Sequence, residues 1–478
     1  MTSSLFGSST HELVVGLSDL DGDGASHVWG GTDCAPLDPE IHRNALELVG
    51  NGIDENCTRA DLATFEPSGA PEGEPVWTAA EKPPVILVTV DSLRADHVGV
   101  TYNGQPLTPT IDALAKTSLN FTRAYSASTH TDESVPAILT GMYPHDWHRF
   151  GVYFGVEPTL AEVLRTSGYE TVGILTFPWL KIALMHGLSY IDNSLGEQVL
   201  RDENMVTGHL VSQAALGYLD ERDDKAKPLF LWVHYYDPHG PTVGHRRLAK
   251  TVPDAPYKQE VRHTDDSIAL LIQGLAERGL FENAVIIFAS DHGEAMGEHG
   301  IETHTWDFYE SIVRVPMFLR LPGVEPKTIE QAVSSVDIFP TLIDYLNIKN
   351  TGTREGVSLL PLAANPNLEH PPILIQAEEN NTPLGAAVVD GPLKVIHNQR
   401  RNTWMLFDVV VDPQERDNLL GEREADHERL RALLLRFRDR GFNDVRLKRK
   451  RDRWEQRAHF EPEVFIGRST QSRDTELE

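Results

Sequence analysis

Cysteine is almost missing from this chain. Its 478 residues hold two, Cys34 and Cys57, both within the first sixty. The rest of the chain must therefore hold together by a buried core. Long apolar runs are also missing, and none reaches the ~18 residues that a membrane-spanning helix requires. The opening stretch, MTSSLFGSSTHELVVG, has neither the basic start nor the sustained apolar segment of a secretory leader. Basic charge is scarce: 43 Lys and Arg stand against 71 Asp and Glu, for a formal net charge of −28. A general nucleic-acid binder or a protein docked on anionic lipid needs a basic face, so this balance argues against both. What is present is ordinary for a globular protein, with 40% hydrophobic residues and 36 glycines. At ~150 residues per domain, the length fits about three domains or one large α/β domain with attachments.

The acidic character begins at once. Asp19, Asp21 and Asp23 alternate and are followed by Gly24. Hard oxygen ligands at alternate positions with glycine at the turn suit a calcium loop. The twelfth position of an EF-hand counted from Asp19 would be Gly30, which offers no side-chain ligand. Beyond it lie Asp33-Cys34, Asp38-Pro39, Ala45 to Glu47 and Gly52 to Cys57. This order resembles the extracellular calcium-binding repeats that run D-x-D-G-D-G, D-C, D-P and G-I-D-x-N-C. The resemblance covers about forty residues. It implies calcium held by Asp19, Asp21, Asp23, Asp33 and Glu47, and a Cys34–Cys57 disulfide. A disulfide implies an oxidising, extracytoplasmic setting (periplasmic or secreted), in tension with the leaderless opening. The plain alternative is an acidic, solvated segment with two thiols.

Residues 61–83 are rich in Pro, Gly, Glu and Ala and read as a linker. Then comes a short β-branched run, Val85 to Val90, of the kind buried in a parallel sheet, and a second follows at Ala284 to Ala289. Helix-period stretches lie at Ile111 to Thr117, Thr159 to Thr166 and Ser267 to Arg278. Strands alternating with helices predict a doubly wound α/β sheet. Leu430, Leu433, Leu434 and Phe437 form the apolar stripe of a final helix. The segment Arg446 to Arg453 carries six basic residues, which reads as part of a solvated charged tail.

Both apolar strands end in an acid. The first runs into Asp91, and the second into Asp291 with His292 next, inside D-H-G-E. Ligands of open α/β sheets bind beyond the carboxyl ends of the strands. Two strand-end carboxylates and a histidine can therefore meet on one divalent ion. A third element is SASTHTDESVPAILTGMYP, residues 126–144, where polar residues lead into a helix beginning near Thr131. A hydroxyl at a helix N-terminus faces unpaired N–H groups and the positive end of the dipole, a place for a tetrahedral anion. The competing reading makes Thr131 a simple helix cap.

Together these pieces resemble the sulfatase branch of the alkaline phosphatase superfamily. The matching segments run in order over roughly residues 84–420: VILVTVDSLRADHVG, TPTIDALAKTSLNFTRAYS, VPAILTGMYP, PTLAEVLRTSGYETVG, LFLWVHYYDPHGP, the D-H-G-E segment, YESIVRVPMFLRLPG, VDIFPTLIDYLNI and LFDVVVDPQERDNL. The resemblance implies an alkaline-phosphatase-like α/β fold, with a mostly parallel central sheet flanked by helices and a small C-terminal α+β subdomain. The implied division is a calcium-repeat segment at 1–60, a linker at 61–83, a catalytic domain at 84–375, a subdomain at 376–440 and a charged tail at 441–478.

Carried onto this sequence, the family pattern implies Asp91, Asp291 and His292 as metal ligands. It places the nucleophile ten residues before Gly141, at Thr131. Sulfatases have a cysteine or serine there, oxidised to formylglycine and followed by Pro-Ser-Arg; here the segment is T-D-E-S-V-P. That is similar to phosphoethanolamine transferases, in which a nucleophilic threonine precedes x-x-S-V-P and a ligand histidine follows the D-H-G-E histidine by twelve residues. The corresponding residue here is His304. His239, in HYYDPHGP, resembles the histidine that touches the ester. His234 and His299 read as structural, and His148 follows L-T-G-x-Y-P with no role assigned. Ser92 stands where sulfatases carry a second Asp, and the K-W-H segment expected after G-Y-x-T is missing.

The resemblance thus implies a metal-dependent hydrolase or transferase that cleaves phosphate esters through a covalent Thr131 intermediate. His239 and His304 would bind substrate or protonate the leaving group, or would hold a second ion. Imidazole among the ligands favours zinc or manganese over calcium at this centre. Asp132 and Glu133 sit awkwardly close to an anionic substrate. The competing readings are a sulfuric ester hydrolase on the same fold, and a non-catalytic, calcium-dependent binding protein with a decayed enzyme domain. The substrate is a small-molecule, lipid or glycan ester, with no nucleic acid partner and no membrane span.

Overall fold

The computed structural model describes residues 82–443 except 145–157, 178–185, 203–204, 243, 245–247, 251, 253–254, 305–306, 350–353 and 380–381, together with 20, 34–38, 41 and 52–54. Asp19, Asp21, Asp23, Asp33, Glu47, Cys57, most of the 61–83 linker, His148 and the tail from 444 onward lie outside the described residues.

Thirteen strands concern the argument. Nine form the main sheet: β1 (Val85–Val90), β2 (Leu119–Tyr125), β3 (Glu170–Leu175), β4 (Tyr190–Asp192), β5 (Leu229–Tyr235), β6 (Val285–Ser290), β7 (Arg314–Arg320), β8 (Lys327–Ile329) and β9 (Val333–Ser334). Their order is β8-β2-β7-β6-β1-β5-β3-β4, with β9 also pairing β2. Only β7 runs antiparallel to its neighbours β2 and β6. The sheet is therefore mostly parallel, as expected. The β-branched runs lie at its centre because both of their faces are covered. Val85 and Leu87 pack into one apolar layer, and Ile86, Val88 and Val90 into the other.

Six helices matter here: α1 (Pro109–Lys116), α2 (Thr131–Thr140), α3 (Leu160–Thr166), α4 (Gly208–Glu221), α5 (Pro256–Glu277) and α6 (Glu424–Asn443). Thr159 caps α3 with a capping box: its side chain accepts from Glu162 N, and the Glu162 carboxylate accepts from Thr159 N. The sequence reading began α5 at Ser267, but the helix starts eleven residues earlier, at Pro256. Its first half is polar yet buried (His263, Thr264, Asp265 and Asp266 are all covered), so hydropathy could not reveal it. Asp265, for example, accepts from the backbone N–H groups of Thr110 and Ile111 at the start of α1.

The C-terminal subdomain is a four-stranded antiparallel sheet, β10 (Ile373–Glu379), β11 (Thr382–Asp390), β12 (Leu393–Asn398) and β13 (Thr403–Asp408), with α6 packed on it through Leu430 and Leu434. It meets the main domain in two polar places. Gln376 N donates to Ala127 O, in the loop that leads to α2. Lys394, fully buried, sits 2.7 Å from both Glu310 and Glu415, and Glu310 also accepts from the Tyr125 hydroxyl at the end of β2. Among the described residues, no helix is long and apolar enough to cross a membrane.

Candidate active site

Parallel register creates the site. In the β1–β6 ladder Val90 lies opposite Ser290, so the chain leaves both strands at the same level, and Asp91 and Asp291 emerge side by side. The exit is stapled. Ser290 Oγ donates to a carbonyl and accepts from Leu93 N, and Ser92 N donates to Asp291 Oδ1 at 3.2 Å. Ser92 holds a left-handed φ of 58°. Its carbonyl accepts from the Tyr257 hydroxyl, which helps fix that bend.

Thr131 is the first residue of α2. It is not the cap: His130 occupies that position, with no side-chain cap bond. The threonine oxygen lies 3.3 Å from Asp91 Oδ2 and 3.1 Å from His292 Nε2. The hydroxyl has one proton to give and two acceptors in reach. His292 Nδ1 lies 2.9 Å from Gly293 O, so it carries the proton and donates, leaving the Nε2 lone pair facing the threonine. Burial first, and then the Asp291 charge, push the Asp91 carboxyl well above its ordinary range. Burial also raises Asp291 and drives His292 well down, so that imidazole is neutral.

This donor set fits a divalent ion. Asp91, Asp291 and His292 bring ligand atoms within 4.8 Å of one another, all buried. Asp291 Oδ2 makes no hydrogen bond. Two enclosed carboxyls that disfavour each other's charge, a neutral imidazole lone pair and a hydroxyl are groups that a cation would reconcile.

Three more imidazoles close around the centre. The His304 ring lies 4.5 Å from that of His292, 5.0 Å from His239 and 5.5 Å from His130. Burial, reinforced by the neighbouring His304, takes His239 down to about 4 and His130 to about 3. His304 Nδ1 lies 3.1 Å from Glu294 Oε2, and its backbone N–H donates to the same carboxylate. His239 Nδ1 donates to Gly240 O.

Every described residue in the sequence-derived catalytic and metal sets is thus brought to one place. Two further residues, Glu294 and His130, border the centre. Glu294 lies inside D-H-G-E, and its position two residues after His292 is the signal that the sequence carries for it. His130 is adjacent to Thr131, but a histidine before a helix carries no motif. The Glu133 carboxylate is buried and accepts from the Ser128 hydroxyl. His234 Nδ1 pairs with Thr89 Oγ1 at 2.8 Å. His299 stacks on Tyr309, with ring centroids 3.7 Å apart.

Comparison with known proteins places the chain among relatives. The sulfatase family model matches residues 83–348, and the model of the N-sulphoglucosamine sulphohydrolase C-terminal region matches residues 297–439. An ulvan-active sulfatase from Formosa agariphila is 27% identical over 407 residues, covering 72% of this chain and 78% of its own. A structure solved in complex with its substrate D-glucosamine-2-N,6-O-disulfate superposes with a TM-score of 0.62 at 17% identity, covering 77% of this chain and 99% of the other. The phosphonate monoester hydrolase of Agrobacterium radiobacter gives a TM-score of 0.58 at 18% identity, covering 77% and 96%. These structural likenesses speak for the fold, which is that of the alkaline-phosphatase-like sulfatases. With more than half its length under the family model, the chain belongs to the sulfatase family.

Proposed function

We propose that this sulfatase-family enzyme cleaves phosphate esters, as a hydrolase or phosphotransferase, through a covalent ester on Thr131. The observation that carries the reading is the seat of Thr131 Oγ1, at the start of α2, 3.3 Å from Asp91 and 3.1 Å from His292. A divalent ion held by Asp91, Asp291, His292 and Thr131 would supply Lewis acidity that lowers the hydroxyl pKa and charge that offsets the buried carboxylates. In the first step Thr131 Oγ1 passes its proton to Asp91 Oδ2, to which it donates, and bonds to phosphorus, and the bond from phosphorus to the leaving oxygen breaks. The first N–H groups of α2 face the charge that develops on the remaining oxygens. Glu294 fixes His304 through Nδ1, so proton transfer to the leaving oxygen falls to Nε2. In the second step water, or an acceptor alcohol, displaces Thr131 from phosphorus.

Kinship by itself favours sulfate-ester hydrolysis over phosphate transfer, and this is the second reading. The F. agariphila relative is a sulfatase by name. The nucleophile pulls the other way. Thr131 offers no thiol or primary hydroxyl for conversion to formylglycine, whereas a threonine phosphoester is open to displacement at phosphorus. Turnover of p-nitrophenyl phosphate, a phosphodiester and p-nitrophenyl sulfate by the same metal-loaded preparation decides between them. Phosphate or phosphodiester cleavage that exceeds sulfate cleavage supports the first reading, and the reverse order supports the second.

One observation favours a second ion at His239 and His304. Each ring is oriented through Nδ1, to Gly240 O and to Glu294, the kind of support that fixes the tautomer of ligating histidines. Metal content per chain in His239→Ala and His304→Ala tests it. We also propose that residues 1–60 form a calcium-binding, disulfide-linked module acting outside the cytoplasm. Calcium titration of the full chain, and thiol alkylation with and without reductant, test this part.

A further inference from the structure

The last helix opens with another convergence of metal-binding side chains, outside the catalytic centre. We propose that Glu424, His427 and Glu428 form a zinc-class divalent site on the first turn of α6. The three residues stand at i, i+3 and i+4, so they share one helix face. Their ligand atoms lie within 4.8 Å of one another.

The second observation is the state of His427. The residue is 8% exposed, and both ring nitrogens are buried without a hydrogen-bond partner. It packs edge-on against Trp404 of β13, with ring centroids 5.7 Å apart. A covered imidazole with neither nitrogen bonded is unfavourable, and a bond to a metal ion would relieve that. The two glutamates are exposed, so an ion has a path in from solvent.

The donor set selects the ligand. One imidazole nitrogen and two carboxylate oxygens suit zinc and its neighbours, whereas calcium and magnesium take oxygen ligands alone. Two features work against a cation. The helix N-terminus presents a partial positive charge, and Arg431 approaches Glu428 to 3.7 Å. The paired carboxylates offset the first. The second is a long, exposed contact that an ion can displace. Nearby Arg423 is engaged by Asp408 and Asp426. An ion held only by the folded turn would stabilise the subdomain by mass action.

The test uses the metal-stripped full chain. Bound zinc per chain is counted by elemental mass spectrometry after gel filtration in low-micromolar zinc, and melting temperature is followed with and without zinc. His427→Gln and the exposed pair Glu424→Gln/Glu428→Gln are each expected to bind one zinc fewer than wild type. Both should lose part of the zinc-dependent rise in melting temperature and keep turnover within about twofold of wild type. If His427→Gln fails to fold, the exposed pair decides. An unchanged zinc count in the exposed pair overturns the proposal. The readout is a difference from wild type, so it stands whether or not the catalytic centre takes zinc.

Discussion

Glu294 should control how His304 works. Its carboxylate accepts from His304 twice, at the backbone N–H and at Nδ1, the latter at 3.1 Å. Burial pushes the Glu294 carboxyl up, but the His304 hydrogen bond and charge outweigh that and leave it below the ordinary glutamate value. A lowered acid keeps its charge above that value, so the tether holds through the neutral range and is lost only as pH falls through the folded-state pKa. A hydrogen bond to a charged group contributes ~1.5–3 kcal/mol and a neutral one ~0.5–1.5. Glu294→Gln keeps an acceptor and loses the charge, a deficit of about 1–2 kcal/mol, or roughly 5- to 30-fold in kcat/KM. Glu294→Ala removes both bonds and should cost roughly tenfold more than the glutamine variant. The assay is steady-state turnover of the best ester in the phosphate, phosphodiester and sulfate panel, at saturating metal, beside His304→Ala. If Glu294→Ala stays within about twofold of wild type while His304→Ala is inactive, the tether does not position the imidazole and the reasoning fails.

Other outcomes follow from the same structure. Lys394→Met leaves Glu310 and Glu415 buried without their cation and should destabilise the protein by about 3–5 kcal/mol in urea unfolding. The Glu415 carboxyl is already pushed up to about 7, by burial before any other cause, so the loss should shrink as pH falls below that value and the acid becomes neutral. An equal loss at pH 5 and pH 8 would contradict this. Thr159→Ala dissolves the capping box of α3 and should lower stability by about 1 kcal/mol with kcat unchanged, because α3 carries none of the catalytic side chains. Chelation should abolish turnover, and zinc or manganese should restore it better than calcium, as measured by activity against added metal. Full activity in the chelated enzyme would remove the metal from the mechanism.

The catalytic strands were legible because a β-branched run ending in an acid needs no tertiary information. Val85 to Val90 with Asp91, and the run before Asp291, could be read as central strands, and their shared level in the sheet followed from parallel pairing. Thr131 was legible only through ordered family segments, since a threonine at a helix start is ordinarily a cap. The start of α5 was not legible, because Asp265 and Asp266 look like surface residues until the α1 N–H groups that bind Asp265 and the Arg262 that pairs with Asp266 are seen. Nor were His130 and Glu294, whose roles arise from ring and carboxylate contacts made across the fold. The Lys394 cluster joins residues 84 and 21 positions apart in the sequence, a separation no local pattern encodes.

The central claim is that Thr131 takes the group it removes. Acid-quenched, metal-loaded enzyme, mixed with a slow aryl phosphate or phosphodiester and digested for mass spectrometry, should carry the transferred phosphoryl group on the peptide containing Thr131. Thr131→Ala should carry none and turn over at background. A fully active Thr131→Ala enzyme, or label found only elsewhere, would contradict the account.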